Sequence, residues 1–154
     1  MRPQRLRGST PSYDRVLVFH NHPVRQHQFE DGYAYLLADG DCVGDRMELL
    51  LLDGDAEGAA DLSIRLQQAL DAVLNTLKCD FGGHIVFAGG DDLLAQVPLV
   101  WASVESSDML RGLYQRICGC TLSIGVGQSP ERAVEALRRA KLSGKNQVVV
   151  SQGS

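Results

Sequence analysis

His84-Ile85-Val86-Phe87-Ala88-Gly89-Gly90-Asp91-Asp92-Leu93-Leu94-Ala95-Gln96-Val97 reads as a hairpin. Two short apolar runs, His84 to Ala88 and Leu93 to Val97, flank four residues of turn chemistry, so two strands are expected to join through Gly89-Gly90-Asp91-Asp92. Upstream, Tyr33 to Ala38 suits a buried strand that ends at Asp39-Gly40-Asp41. Val43 to Leu52 reads as a short helix. From Ala59 to Leu77 the residues Leu62, Leu66, Ala69, Leu70, Val73, Leu74 and Leu77 recur at helical spacing, so one face belongs to a core. Gly82 and Gly83 close that region. Downstream, Ser107 to Ile117 is expected to be helical, with Leu110, Leu113, Tyr114 and Ile117 inward, and Cys120 to Val126 a strand. Ser129 is placed to cap a helix with Pro130 at its first position, running to Gly144. Val148 to Val150 is a last short strand.

That order is an α+β fold, a ferredoxin-like βαββαβ core. An antiparallel sheet carries helices on one face, with an extra helix and strand at the C-terminal end. In this topology the first and third strands are antiparallel neighbours in the middle of the sheet. Asp39 then lies beside the hairpin that carries Asp91 and Asp92, although some fifty residues separate them. Carboxylates gathered in one patch raise one another's pKa unless a cation neutralises them. Hard oxygen donors suit Mg²⁺ or Mn²⁺, and two such ions about 4 Å apart activate a hydroxyl and stabilise a pyrophosphate leaving group. Gly89 and Gly90 suit a tight turn and, lacking side chains, let a nucleotide approach the backbone. Alone, Gly-Gly-Asp-Asp reads equally as an ordinary polar turn; the partnership with Asp39-Gly40-Asp41 favours metal.

Several other features lead elsewhere. Asp53-Gly54-Asp55-Ala56-Glu57-Gly58 opens like a calcium loop, but its twelfth position is Ile64 instead of glutamate, so a helix-to-helix connection is expected there. His20, His22 and His27 have no carboxylate or cysteine at ligand spacing, and residues 1–32 read as an irregular arm or edge strand preceding a domain over 33–150, with 151–154 as a tail. Cys42, Cys79, Cys118 and Cys120 lack Cys-x-x-Cys spacing and read as buried or half-buried free thiols of a reducing compartment. Trp101 reads as a core or interface aromatic rather than a platform for a base. A 154-residue chain that is 44% hydrophobic and 22% charged is globular, which excludes bulk disorder, and its net charge of −4 argues against coating duplex nucleic acid. No apolar run reaches the roughly 18 residues of a membrane span, and no secretory leader is evident, so a cytoplasmic location is expected. Lys141 and Lys145, four apart near a helix end, are read as phosphate contacts projecting from one face. The competing reading is that they complement the helix dipole.

Asp39-Gly40-Asp41-Cys42-Val43-Gly44, Phe87-Ala88-Gly89-Gly90-Asp91-Asp92, Leu122-Ser123-Ile124-Gly125-Val126-Gly127 and Ala140-Lys141-x-x-Gly144-Lys145-Asn146 follow one another in an order that resembles the minimal CRISPR polymerase family. These are stand-alone relatives of the palm domain in the large subunit of type III CRISPR effectors. The resemblance spans Tyr33 to Val150. It implies a palm fold, dependence on Mg²⁺ or Mn²⁺ in a two-metal site, and synthesis of a cyclic di- or oligonucleotide second messenger in bacterial anti-phage defence. By position, Asp39, Asp91 and Asp92 would be catalytic. The same three acids with Gly40 (through its carbonyl) and Asp41 would hold metal, and Gly44, Gly89, Gly90, Lys141 and Lys145 would contact nucleotide. GGDEF diguanylate cyclases share the Ala-Lys-x-x-Gly-basic-Asn tail. Here, however, Asp92-Leu93 stand where they carry Glu-Phe, and Val43 to Glu48 replace their guanine-reading segment. ATP is therefore the expected substrate, giving a cyclic oligoadenylate or a product like c-di-AMP. GTP use by a diguanylate-cyclase-like enzyme and a silent nucleotide sensor or interaction module are the alternatives. Joining two nucleotides on one small palm implies a homodimer, and the messenger implies a separate effector protein.

Overall fold

The computed structural model describes residues 32–151. The arm expected over 1–32 and its three histidines lie outside the described residues, apart from Gly32. The order is β1 (Tyr33–Gly40), α1 (Val43–Leu52), α2 (Ala56–Asn75) continued by a π turn (Thr76–Asp80), β2 (His84–Gly89), β3 (Asp92–Pro98), a 3₁₀ turn (Leu99–Trp101), α3 (Val104–Cys118), β4 (Leu122–Gly127), α4 (Pro130–Leu142) and β5 (Val148–Val150). The sheet runs β2-β3-β1-β4-β5. Strand β1 is central and antiparallel to both neighbours, while β5 lies parallel to β4. The α+β palm architecture stands, and the C-terminal extension adds a parallel pair, β4 with β5, bridged by α4 as a parallel crossover requires.

Alternation builds the core. Ala34, Leu36 and Ala38 of β1, Leu93, Ala95 and Val97 of β3, and Leu122, Ile124 and Val126 of β4 are all buried. Onto this face pack Leu62, Leu66, Ala69, Leu70 and Val73 of α2, with Leu110, Tyr114 and Cys118 of α3. Each large apolar side chain so buried contributes about 1.5–3 kcal/mol. Helix α4 takes the opposite face. Ala133, Ala136 and Ala140 are its buried residues, and a side chain at Gly125 would overlap Leu137 N and Ala133 O. Small residues on both partners thus bring the helix backbone against β4, which is buried along its whole length.

Capping sets several boundaries. Ser129 accepts from Arg132 N at 3.3 Å with Pro130 leading α4, as expected, but the helix ends at Leu142 rather than Gly144. Asp55 accepts from Gly58 N at 2.8 Å, so α2 starts three residues before Ala59, and the second Asp-Gly-Asp is a helix-to-helix connection. Ser103 caps α3 in the same way and moves its start from Ser107 to Val104. Trp101 stacks on Phe81 with ring centroids 4.4 Å apart, a core-edge aromatic. All four cysteines are free. Cys118 and Cys120 are buried, but Cys42 and Cys79 are exposed, because they fall at the entry of α1 and in the π turn. No helix among the described residues is long and apolar enough to cross a membrane.

Candidate active site

Residues from four stretches meet at the end of the central strands. In register, Asp39 faces Asp92 on β3 and Ser123 on β4, and Gly40 N donates to Asp91 O at 2.9 Å. The convergence expected from topology is therefore present. Directly opposed residues share a face, so Asp39 and Asp92 stand on the side of the sheet that α4 covers. Asp91 turns the other way and lines a cleft of about 190 Å³ with Val43, Ser63, Leu66, Gln67 and Gly90. The crossing is tight. A side chain at Gly40 would come within 2.8 Å of Val43 Cγ2, 3.0 Å of Tyr114 Oη and 3.1 Å of Asp91 Cβ, so glycine is required there. Of the hairpin glycines only Gly90, at φ 62°, uses the left-handed conformation; Gly89 is the last residue of β2. Space above both is open.

Asp41 is the most heavily bonded carboxylate. It is 6% exposed. Its Oδ1 accepts from Ser123 Oγ at 2.8 Å and Lys141 Nζ at 2.7 Å, and its Oδ2 from Thr121 Oγ1 at 2.8 Å and Asn146 N at 2.9 Å. Burial alone would raise its pKa, but these four hydrogen bonds outweigh it and hold the carboxyl below the usual aspartate range. An oxygen pair so occupied fits a tie between β1, β4 and α4 better than a ligand to metal. Lys141 Nζ also reaches Asp39 Oδ2 at 2.8 Å and the carbonyl oxygens of Asp39 and Gly40 at 3.1 and 3.0 Å. Burial opposes its charge, yet the hydrogen bonds and attraction from Asp39 and Asp41 keep its pKa above that of an ordinary lysine. Asp91 is the contrast. Burial first, then repulsion from Asp39, pushes its carboxyl upward.

One expectation is corrected here. Lys141 and Lys145 do not project from one helix face: Gly144, Lys145 and Asn146 have φ of 116°, 62° and 49°, a left-handed run that ends the helix path and aims Asn146 N at Asp41. Lys145 Nζ instead contacts Cys42 Sγ at 3.0 Å in the open, and Lys141 is turned onto the acids. Among the described residues no group of three His, Cys, Asp or Glu side chains is already drawn together as for an ion. What does gather is a mixed set, the Asp39 and Asp41 carboxylates and two main-chain carbonyls, around one ammonium. Gly44 sits in the first turn of α1, where a side chain would meet nothing within 4 Å, and α1 has no side-chain cap. A larger hollow of about 320 Å³ between α4 and β5, edged by Arg132, Arg139 and Val149, contains none of these acids. The hydroxyls of Thr121 and Ser123 and the Asn146 amide were missed as parts of the site. Ser123, a fully buried polar residue in a strand of apolar neighbours, was the available signal.

The sheet order, the crossing of Asp39-Gly40 with Gly90-Asp91 and the lysine behind them define a palm domain of the polymerase and cyclase type. The same architecture occurs in a Csm1-Csm4 cassette in complex with cA4, at TM-score 0.56 and 18% identity over 79% of this chain. In complex with AMPPNP the cassette gives TM-score 0.58 and 19% identity over 76% of this chain and 20% of that one. The active GGEEF domain of a diguanylate cyclase from Vibrio cholerae gives TM-score 0.51 and 16% identity, covering 79% of this chain and 84% of that one. This chain spans only 21% of the cassette chain matched in the cA4 complex. No curated protein matches it in sequence. The model of the minimal CRISPR polymerase domain (mCpol) matches residues 35–151, and the chain belongs to that family.

Proposed function

We propose that this protein is a metal-dependent nucleotidyltransferase that makes a cyclic di- or oligonucleotide from ATP. The observation that carries the reading is the gathering of the Asp39 and Asp41 carboxylates and the Asp39 and Gly40 carbonyls around one cation, with Asp92 paired to Asp39 and Asp91 O accepting from Gly40 N. Hard oxygen donors that already accommodate a positive charge fit Mg²⁺ or Mn²⁺. Asp39, the Gly40 carbonyl, Asp91 and Asp92 would hold the ions. Asp41, assigned to the metal by position, supports the site through its hydrogen bonds instead. Bound divalent ions supply Lewis-acid activation of the attacking hydroxyl and neutralise charge on the leaving pyrophosphate.

This chain's own groups then position the nucleotides. The uncapped first turn of α1 at Gly44 offers backbone N–H groups to phosphate. Gly89 and Gly90 leave room for the ribose and phosphates above the hairpin, and Lys141 and Lys145 supply point charges at the phosphate tail. A 2′ or 3′ hydroxyl oxygen of one nucleotide bonds to the α-phosphorus of the next. The bond from that phosphorus to the bridging oxygen of pyrophosphate breaks, and the hydroxyl proton passes to solvent. ATP is favoured over GTP because Csm1-Csm4 structures hold ATP, AMPPNP and cA4, while the Glu-Phe and guanine-reading positions of diguanylate cyclases are changed here. Two copies facing each other would bring two triphosphates together. We place the protein in the cytoplasm, signalling to a separate effector in anti-phage defence.

The test is incubation of the pure protein with the four ribonucleoside triphosphates and Mn²⁺ or Mg²⁺, with products identified by mass spectrometry. Cyclic adenylates and released pyrophosphate are expected; cyclic guanylates would move the reading to the GTP enzyme. Nucleotide-dependent thermal stabilisation with no turnover under any metal would overturn catalysis in favour of a sensor.

A further inference from the structure

We infer that Lys141 is the resident counter-cation of the acid site and gates metal entry: a divalent ion binds at Asp39 and Gly40 only as the Lys141 ammonium leaves, and nucleotide phosphates are the acceptors it leaves for. This rests on the metal-dependent reading above and adds an order to it, in which metal and nucleotide bind together rather than independently.

The geometry supports it in three ways. First, the ammonium occupies the position itself. Lys141 Nζ lies within 3.1 Å of Asp39 O, Gly40 O, Asp39 Oδ2 and Asp41 Oδ1, four oxygens for three N–H donors. An ion drawn to the Asp39 carboxylate and the Gly40 carbonyl competes for the same lone pairs. Second, departure leaves Asp41, the buried carboxylate, with three of its four donors. Asp41 retains Thr121, Ser123 and Asn146 N as donors, and Asp39, 37% exposed at its side chain, exchanges one cation for another. Third, only a side chain has to move. The backbone of α4 is held against β4 by close packing at Gly125, while Lys141 is 23% exposed and hangs from the last turn of that helix. Among the described residues no other lysine or arginine takes the Lys141 place: Lys145 lies on Cys42, Arg46 on Gly119 and Arg111 on Asn146. Without metal, Lys141 thus neutralises part of the charge on Asp39 and Asp41, and bound triphosphate tips the exchange by giving the ammonium new oxygens.

The probe is Mn²⁺ alone, titrated calorimetrically into the full chain without nucleotide. Lys141→Met keeps the length and removes the charge, and should bind Mn²⁺ about tenfold more tightly than the native protein, the loss of one charge-assisted competitor. Equal or weaker binding by a folded Lys141→Met overturns the gate while leaving the metal site intact. Binding by neither protein, with or without ATP, overturns the metal reading as well. Should the variant not fold, the native chain suffices. Lys78, Lys141 and Lys145 are its lysines, so ¹⁵N-labelled ammonium signals are few. Saturating Mg²⁺ should shift the Lys141 signal and expose its protons to rapid exchange with water. Mg²⁺ binding that leaves that signal unchanged refutes the exchange.

Discussion

Asp41 and Asp91 are both half or fully withdrawn from water near the same strand ends, yet they live opposite lives. Asp41 receives four donors from β4, α4 and the turn beyond it, and is held charged. Asp91 is drawn into a cleft, repelled by Asp39, and held toward its neutral form. The first carboxylate fastens the structure. The second is a carboxyl whose ionised form burial and the neighbouring Asp39 disfavour, the kind of perturbation on which its proposed role as a metal ligand rests.

The largest expected effect is on turnover. Asp91→Asn should lower nucleotide consumption at least about a hundredfold, by analogy with loss of one preorganised electrostatic group, yet raise the melting temperature of the metal-free protein. A melting temperature that falls with activity would show that both carboxylates are fasteners. Asp41→Ala should act on stability first. Removing one member of a buried charged pair costs about 3 kcal/mol, read by urea titration, with activity lost through misplacement of Lys141. Gly125→Ala comes next. Overpacking against the α4 backbone should cost about 1–3 kcal/mol and weaken nucleotide binding, since α4 carries Lys141.

The smallest effect is a pH dependence that separates the two aspartates by sign. The Asp41 pKa lies below its ordinary value of 3.8, so its stabilisation is complete above that value and is lost as the pH falls through the folded-state pKa. The Asp91 pKa lies above 3.8, so its contribution is present below that value and is lost as the pH rises through the folded-state pKa. The stability advantage of Asp91→Asn over the native chain should therefore fade on acidification, measured by melts between about pH 3 and 7. An advantage that grows toward low pH would contradict the assignment.

Much of this was legible before any coordinates. The hairpin at Gly89-Gly90 and the helices marked by Leu62-Leu66-Leu70-Val73 and by Ser129-Pro130 follow from local pattern. The pairing of Asp39 with the hairpin follows from element order, because few topologies accommodate that order. Helix starts were displaced by up to three residues where Asp55 and Ser103 act as caps, since polar residues before an apolar face do not announce which of them bonds. The path after Leu142 was misread because Lys145 and Asn146 adopt positive φ without being glycine, a conformation that Asn146 sustains while donating to Asp41.

Residue order alone established an α+β palm with acidic groups from two distant stretches brought to one rim, because strand period, turn chemistry and chain connectivity are local or combinatorial. It did not establish what each acid does. Asp39, Asp41, Asp91 and Asp92 are chemically alike, and what distinguishes Asp41 is the donors that reach it across eighty or more residues of chain. The donor counts were set by α4 resting on Gly125, by Thr121 and Ser123 arriving alongside β1, and by a left-handed turn at Asn146. Electrostatics depends on distance and burial, and both exist only after the chain has packed.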